Sequence, residues 1–298
     1  MSAVRRSRGI SRELRSRLLV VAVIAPVSIV AIYLGDWYFT ALVAVVAALT
    51  ALEFYGLVRD RAGRPIAWLG VPAAVLLVAI AAHEPSFHVW GNRALSLLLL
   101  LGLLAVAISI FDRSTNQPLL SATATVSGVL YTGGTLSFAL LLRYLPEIRG
   151  AMPVRPIEGF MLVMLPVAVT SVADTASYFV GKRLGRRRLA PRLSPGKTVE
   201  GSIGGLAGAV VTGYAAGLFL DGVGTLVLSA PVCAGIGLLL GIAGQLGDLS
   251  ESLLKREAGV KDSGRLLPGH GGFLDRFDSL LFTIPLAYGL VLLAQVLA

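Results

Sequence analysis

The residues best equipped for chemistry lie between Gly247 and Ser279, in the stretch GDLSESLLKREAGVKDSGRLLPGHGGFLDRFDS. Lys255, Arg256, Lys261, Arg265 and Arg276 face Asp248, Glu251, Glu257, Asp262, Asp275 and Asp278 there, five cations against six carboxylates. A loop that only touched anionic lipid would be lopsidedly basic, so near balance around a Pro-Gly-His-Gly-Gly turn points to metal and phosphate together. Asp248, Glu251, Ser252 and Lys255 fall at i, i+3, i+4 and i+7, and share one face if the helix before them continues. By themselves these four also fit a solvated face with Glu–Lys pairing. Gly269, Gly271 and Gly272 permit a tight nest of backbone N–H groups around an anion, while Asp275 and Asp278, three apart at a helix start, can point one way. Oxygen-only ligands favour Mg2+, which keeps waters and bridges phosphates. His270, with no second histidine near it, is a poor zinc ligand and suits either a phosphate hydrogen bond or a turn-stabilising imidazole.

Two upstream segments carry further candidates. Asp174, in VAVTSVADTASYFVGKR, sits late in an apolar run, where an ionisable group is costly and marks either a site or a paired structural contact. Ser194-Pro195-Gly196-Lys197-Thr198 is predicted to open a helix with a turn, a lysine and hydroxyls, which can hold phosphate oxygens against helix N–H groups. It is not a Walker loop, since the first glycine of that pattern is missing. Arg186, Arg187 and Arg188 fit an ordinary basic run touching lipid head groups. Glu53 is the other ionisable group in an apolar run, and Arg59 and Asp60 nearby place it at the membrane interface.

The elements that must position these residues are apolar. Hydrophobic residues make up 55% of the 298-residue chain and the mean hydropathy is +0.79, far above a soluble domain. Runs near the ~20 residues a span needs fall at about 18–34, 38–58, 66–82, 94–111, 119–142, 159–180, 200–220, 225–246 and 277–297. The predicted fold is therefore all-α, a polytopic transmembrane bundle of about nine spans, because backbone in lipid must bond to itself. The runs do not alternate, which excludes a β-barrel. The first run lacks a cleavage signal and reads as an uncleaved span. With the amino terminus cytoplasmic, twenty-two of the twenty-six Lys and Arg lie on the cytoplasmic side, against Arg93, Arg143, Arg149 and Arg155 on the other. The same pattern makes a nucleic-acid partner unlikely for the net charge of +9 and puts the polar loops 181–199 and 247–276 in the cytoplasm. Residues 1–158 form an amino-terminal multi-span region and 159–298 a carboxy-terminal one that carries the polar loops. Glycines spaced four apart at 201–217 and 235–247 predict close helix packing. Cys233, the only cysteine, can form no intramolecular disulfide and is expected to pack.

The residues from Ser252 to Asp278 resemble the signature of the phosphatidate cytidylyltransferase (CDP-diacylglycerol synthase) family. That signature runs S-x-x-K-R, four residues, K-D-x-G, then P-x-H-G-G-x-x-D-R-x-D. Ser252, Lys255, Arg256, Lys261, Asp262, Gly264, Pro268, His270, Gly271, Gly272, Asp275, Arg276 and Asp278 match it throughout. SVADTASYFVGKR and SPGKTVEGSIGG also look like family segments and extend the similarity to roughly 165–280. The resemblance implies transfer of the cytidylyl group of CTP to phosphatidate at the cytoplasmic membrane, with Mg2+, room for a second cation such as K+, and a homodimer. It implies Asp248 and Asp275 as the leading metal ligands, with Asp262, Asp278 and Asp174 as further carboxylates. Lys197, Lys255, Arg256, Lys261 and Arg276 would hold the phosphates, with Ser194, Thr198, Ser252, His270 and the Gly269–Gly272 nest. Asp248, Asp262, Asp275, Lys255, Lys261 and Arg276 form the expected catalytic group. A cytidylyltransferase or kinase acting on another lipid is the alternative. A cation-coupled transporter is disfavoured because no internal repeat is visible.

Overall fold

The computed structural model describes residues 22–59, 61, 63–111, 117–148, 156–223, 228–264 and 271–297. Its helices are α1 (Ala22–Leu34), α2 (Asp36–Val58), α3 (Ala67–His83), α4 (Phe87–Phe111), α5 (Pro118–Val129), α6 (Thr135–Arg143), the short α7 (Leu145–Ile148), α8 (Pro156–Leu184), α9 (Val199–Val223), α10 (Ala230–Ala258) and α11 (Leu274–Leu297). A π-helical turn, Leu130–Gly134, joins α5 to α6 into one continuous rod. Counting that rod once, seven of these helices are long and apolar enough to cross a membrane, while α1 and α3 are shorter apolar helices. The chain is thus a multi-pass membrane protein, and its outward faces are apolar, with Leu103, Ile110, Val211 and Phe219 among the large exposed side chains.

Several helices outrun the predicted spans. α4 starts at Phe87 rather than near 94, because only Glu84, Pro85 and Ser86 separate it from α3. Trp90 then anchors it, donating from Nε1 to the Leu77 carbonyl at 3.2 Å. α10 continues twelve residues past its apolar run, through DLSESLLKREA, whose Leu, Glu, Lys and Arg are good helix formers. Gly259, at φ +72°, ends it in a Schellman motif, its N–H bonding the Arg256 carbonyl and the Val260 N–H the Lys255 carbonyl. Much of the predicted loop 247–276 is therefore helix.

The other predicted loop, 181–199, is also ordered. α8 runs to Leu184, and strands β1 (Arg188–Ala190) and β2 (Ser194–Thr198) form an antiparallel hairpin. Ser194–Thr198 is a strand that leads into α9, not the first turn of a helix as its residues predict. Pro195 has no N–H to give and the register shifts across the hairpin, so pairing is confined to Arg188 with Thr198 and Ala190 with Ser194. Thr198 caps α9, accepting the Gly201 N–H at 3.1 Å. Glu200 takes the Arg186 N–H at 2.9 Å and fixes the turn out of α8.

One hydrophobic cluster runs from Ile32 in α1 to Val291 in α11, so both sequence regions share a core. Helix ends meet consistently within it. Arg143, at the end of α6, donates to the Ile32 carbonyl at the end of α1, while at the opposite end Ile66 N–H reaches Thr125 of α5 and the carboxylate of Glu53 reaches the start of α11. Glycine sets the closest crossings, as its spacing predicts. A side chain on Gly213 would lie 2.9 Å from the Gly237 Cα, and one on Gly217 would lie 2.6 Å from that of Ala230. Gly235 faces open space. Replacing Gly213 with Val should therefore lower stability by about 1–3 kcal/mol through overpacking, whereas Gly235→Ala should be neutral or slightly stabilising. Thermal unfolding in detergent checks both.

Candidate active site

Glycine crossings also bring the carboxylates together. Gly247 lets α10 touch α11 backbone to backbone, since a Cβ there would fall 2.6 Å from the Asp278 carbonyl. Asp248, the next residue, is thereby set beside Asp278. Gly205 does the same between α9 and α8, where a side chain would strike Ser177 and the Ala173 carbonyl, and so draws Asp174 inward. Asp174, Asp248 and Asp278 end close enough to repel one another. Lys197 offsets part of that charge through a salt bridge to Asp248.

These residues border a cleft of about 560 Å³ between α8, the hairpin, α9 and α10. Asp174 and Asp248 line its acidic wall, and Lys182, Arg186, Arg188 and Lys197 its basic one. Ser202 on α9 donates to Gln245 on α10, and Gln245 Nε2 returns a bond to the Ser202 carbonyl at 3.0 Å, locking the floor. Arg256, near the end of α10, donates to the Leu193 carbonyl at 3.2 Å and so holds the hairpin over the cleft.

Beneath lies a buried ionic network. Lys255 Nζ contacts Glu251 at 2.5 Å and Asp275 Oδ1 at 2.7 Å. The Glu251 and Asp275 side chains are 1% and 7% exposed, so the three are paired away from water. The second Asp275 oxygen accepts the N–H groups of Ser263, at 3.0 Å, and Gly272, at 2.8 Å. Gly271, at φ +81°, makes the turn that brings these donors round, a conformation that favours glycine.

The expected site residues therefore divide. Asp174, Lys197, Thr198 and Asp248 converge at the cleft, and Asp278 adjoins them. Lys255 and Asp275 belong to the buried network, where both Asp275 oxygens already have protein donors. Asp275 and Asp278 are engaged differently instead of pointing one way, and the Gly272 N–H of the expected anion nest is taken by Asp275. Ser252 is half-buried on α10, Ser194 half-buried on β2, and Lys261 and Asp262 are exposed on the loop before α11. Arg276 is exposed on the first turn of α11. Gly269 and His270 lie outside the described residues. Glu251 is no solvated-face residue, contrary to its helical spacing with Lys255, because the loop and α11 cover it. Glu53 and Ser263 are the functional candidates that the motif reading did not single out. The only signal for Glu53 was a carboxylate in an apolar run.

A divalent cation fits the donor set. Among the described residues no three His, Cys, Asp or Glu groups form a ready cage for a metal ion. Asp174, Asp248 and Asp278 nonetheless leave negative charge only partly offset, and Mg2+ is commonly held by one or two carboxylates plus water and substrate phosphates.

Known proteins resemble this chain along most of its length. The model of the Cytidylyltransferase family matches residues 15–294. A phosphatidate cytidylyltransferase of Synechocystis sp. is 35% identical over 281 residues, covering 87% of this chain and 90% of its own length. One of Bacillus subtilis is 32% identical over 94% of this chain and 98% of its own. A third, of Staphylococcus aureus, is 45% identical over 129 residues, 43% of this chain and 48% of its own.

Lys255→Met should leave two carboxylates buried without their cation. Breaking such a pair costs about 3–5 kcal/mol, so the thermal midpoint should fall clearly. Adding Glu251→Gln to Lys255→Met should restore part of the loss, which a melting series on the three proteins measures.

Proposed function

We propose that this chain, which belongs to the cytidylyltransferase family, transfers the cytidylyl group of CTP to phosphatidate, giving CDP-diacylglycerol and pyrophosphate. The observation that carries the reading is the cleft in which Lys197 bridges to Asp248 beside Asp174, with Arg186 and Arg188 also in its lining. Such a site takes polyphosphate. Its lip is apolar, for Tyr178, Phe179 and Ile203 are exposed next to it, and acyl chains can lie against them while the lipid phosphate enters.

A phosphatidate oxygen attacks the α-phosphorus of CTP, a new P–O bond forms, and the bond from that phosphorus to the bridging oxygen breaks as pyrophosphate leaves with the electron pair. The attacking group is a phosphate monoester with a second pKa near ~6, already anionic at neutral pH, so no general base is needed. The protein's task is to bring two polyanions together and neutralise them. Lys197 can leave Asp248 for a phosphate oxygen, and Arg186 and Arg188 can hold the leaving pyrophosphate. Asp174, Asp248 and Asp278 would hold Mg2+, which supplies charge neutralisation on the triphosphate.

Purified protein in mixed micelles with phosphatidate, labelled CTP and Mg2+ should yield labelled lipid and pyrophosphate. EDTA should abolish the product, and Asp248→Asn and Asp278→Asn should each lower turnover on the order of 10²-fold. Product formed only with a different lipid acceptor would replace phosphatidate as the substrate, and none with any lipid phosphate would overturn the reading.

We also propose that the cleft opens to the cytoplasm, because twenty-two of the twenty-six Lys and Arg fall on that side if it does. Cys233 is fully buried, so a cysteine introduced by Arg192→Cys in the hairpin turn would be the reactive thiol. A membrane-impermeant maleimide should label it in inside-out vesicles and not in intact cells. The opposite pattern reverses the orientation.

A further inference from the structure

Glu53 lies near the end of α2, in the amino-terminal region, yet its carboxylate is built into the loop that precedes α11. Its Oε2 accepts the Ser263 hydroxyl at 3.0 Å and the Leu274 N–H at 2.8 Å, across 210 and 221 residues of sequence. Leu274 is the first residue of α11, so its N–H has no partner within the helix and points along the positive end of the helix dipole. The Ser263 oxygen in turn accepts the Asp275 N–H at 3.3 Å, and the Ser263 N–H donates to Asp275 Oδ2. The loop is shaped to the carboxylate. A side chain at Gly264 or Gly272 would collide with Glu53. The side chain is buried, at 6% exposure, and its Oε1 has no hydrogen-bond partner among the described residues. An unpaired buried carboxylate oxygen is a costly way to gain stability alone.

We infer that Glu53 is a positioning residue for the cytidylyl transfer, pinning Ser263 and the start of α11 so that the Lys255–Asp275 network is held in place and Asp278, one turn further along α11, is set beside Asp248. The inference rests on the function proposed above. Lys261 and Asp262 immediately precede Ser263, so the same pin fixes where those two exposed charges stand. Small displacements matter here, since a 1 Å shift in a reacting geometry costs on the order of 10²-fold.

In the labelled-CTP assay, Glu53→Ala should lower kcat about 10–100-fold and change the KM for CTP by less than about threefold. Glu53→Gln keeps an oxygen that can accept both bonds and should recover most of the lost kcat. Hydrogen exchange should rise in residues 259–264 and 271–280 of Glu53→Ala and stay unchanged in α3 and α4. Ser263→Ala removes the bridging hydroxyl from a half-buried loop position and serves if Glu53→Ala misfolds. It should also lower kcat, and the double variant should be no worse than Glu53→Ala. Wild-type kcat in Ser263→Ala or in a folded Glu53→Ala, additive losses in the double variant, or faster exchange throughout the bundle would each overturn the positioning role. A wild-type protein that makes no labelled lipid would overturn the function instead, and the exchange experiment would still read the pin directly.

Discussion

Charge taken out of water must be matched, and the whole polar end of this bundle follows from how Lys255 is matched. Its ammonium stands between Glu251 and Asp275, at 2.5 and 2.7 Å. Each carboxylate alone would be ruinous at such depth, whereas the triad with its backbone donors is tolerated. Since Lys255 and Glu251 come from α10 and Asp275 from α11, the pairing fixes the two helices in register. Ser263 and Gly272 donate to the same Asp275, so these two residues are fixed as well. Glu53 then extends the network into α2. An interaction of three side chains thus ties the two sequence regions at the end where the cleft opens.

Packing supplies what the ionic network cannot. Helices carrying large residues at every crossing would hold Asp174, Asp248 and Asp278 further apart. Gly205 and Gly247 remove the spacer at the two crossings that matter, and the neighbouring carboxylates are drawn together as a result. The hairpin completes the enclosure. Its Lys197 is carried by a short strand whose position is set by Thr198 capping α9, Glu200 holding the α8 turn and Arg256 holding the Leu193 carbonyl. Thr198 and Arg256, both expected to meet phosphate, thus also help to place Lys197 against Asp248.

The class of fold and the location of the site were legible from the chain because both depend on local pattern. Apolar runs of spanning length need no partner to be recognised, and the charged windows stand out against them. What was not legible depends on contacts between distant segments. Asp275 has the residue type and spacing of a metal ligand, and its contacts with Lys255, Ser263 and Gly272 are ones that only the fold reveals. Glu251 has the spacing of a surface ion pair, and only the covering loop and α11 make it a buried one. Glu53 was visible as an anomaly without a partner, since Ser263 and Leu274 lie more than two hundred residues away. Helix ends were misjudged for a simpler reason. Hydropathy marks where a helix leaves lipid, whereas its end is set by a cap such as Gly259.

The Lys197–Asp248 and Lys255–Asp275 contacts at this end of the bundle are built alike and suited to different work. Lys197 and Asp248 are 26% and 33% exposed, facing the cleft. A pair this open to solvent gains little from its Coulomb attraction, so either partner can be drawn away by a phosphate or a cation at small cost. Lys255 and Asp275, at 17% and 7%, have no such freedom, because separating them strands a buried charge. Of the two pairs, the one in the cleft is therefore the one that a ligand could open, while the buried pair resists separation. On the proposed reading, that division would let the site give up one ion pair to a phosphate or a cation without loosening the helices that carry it.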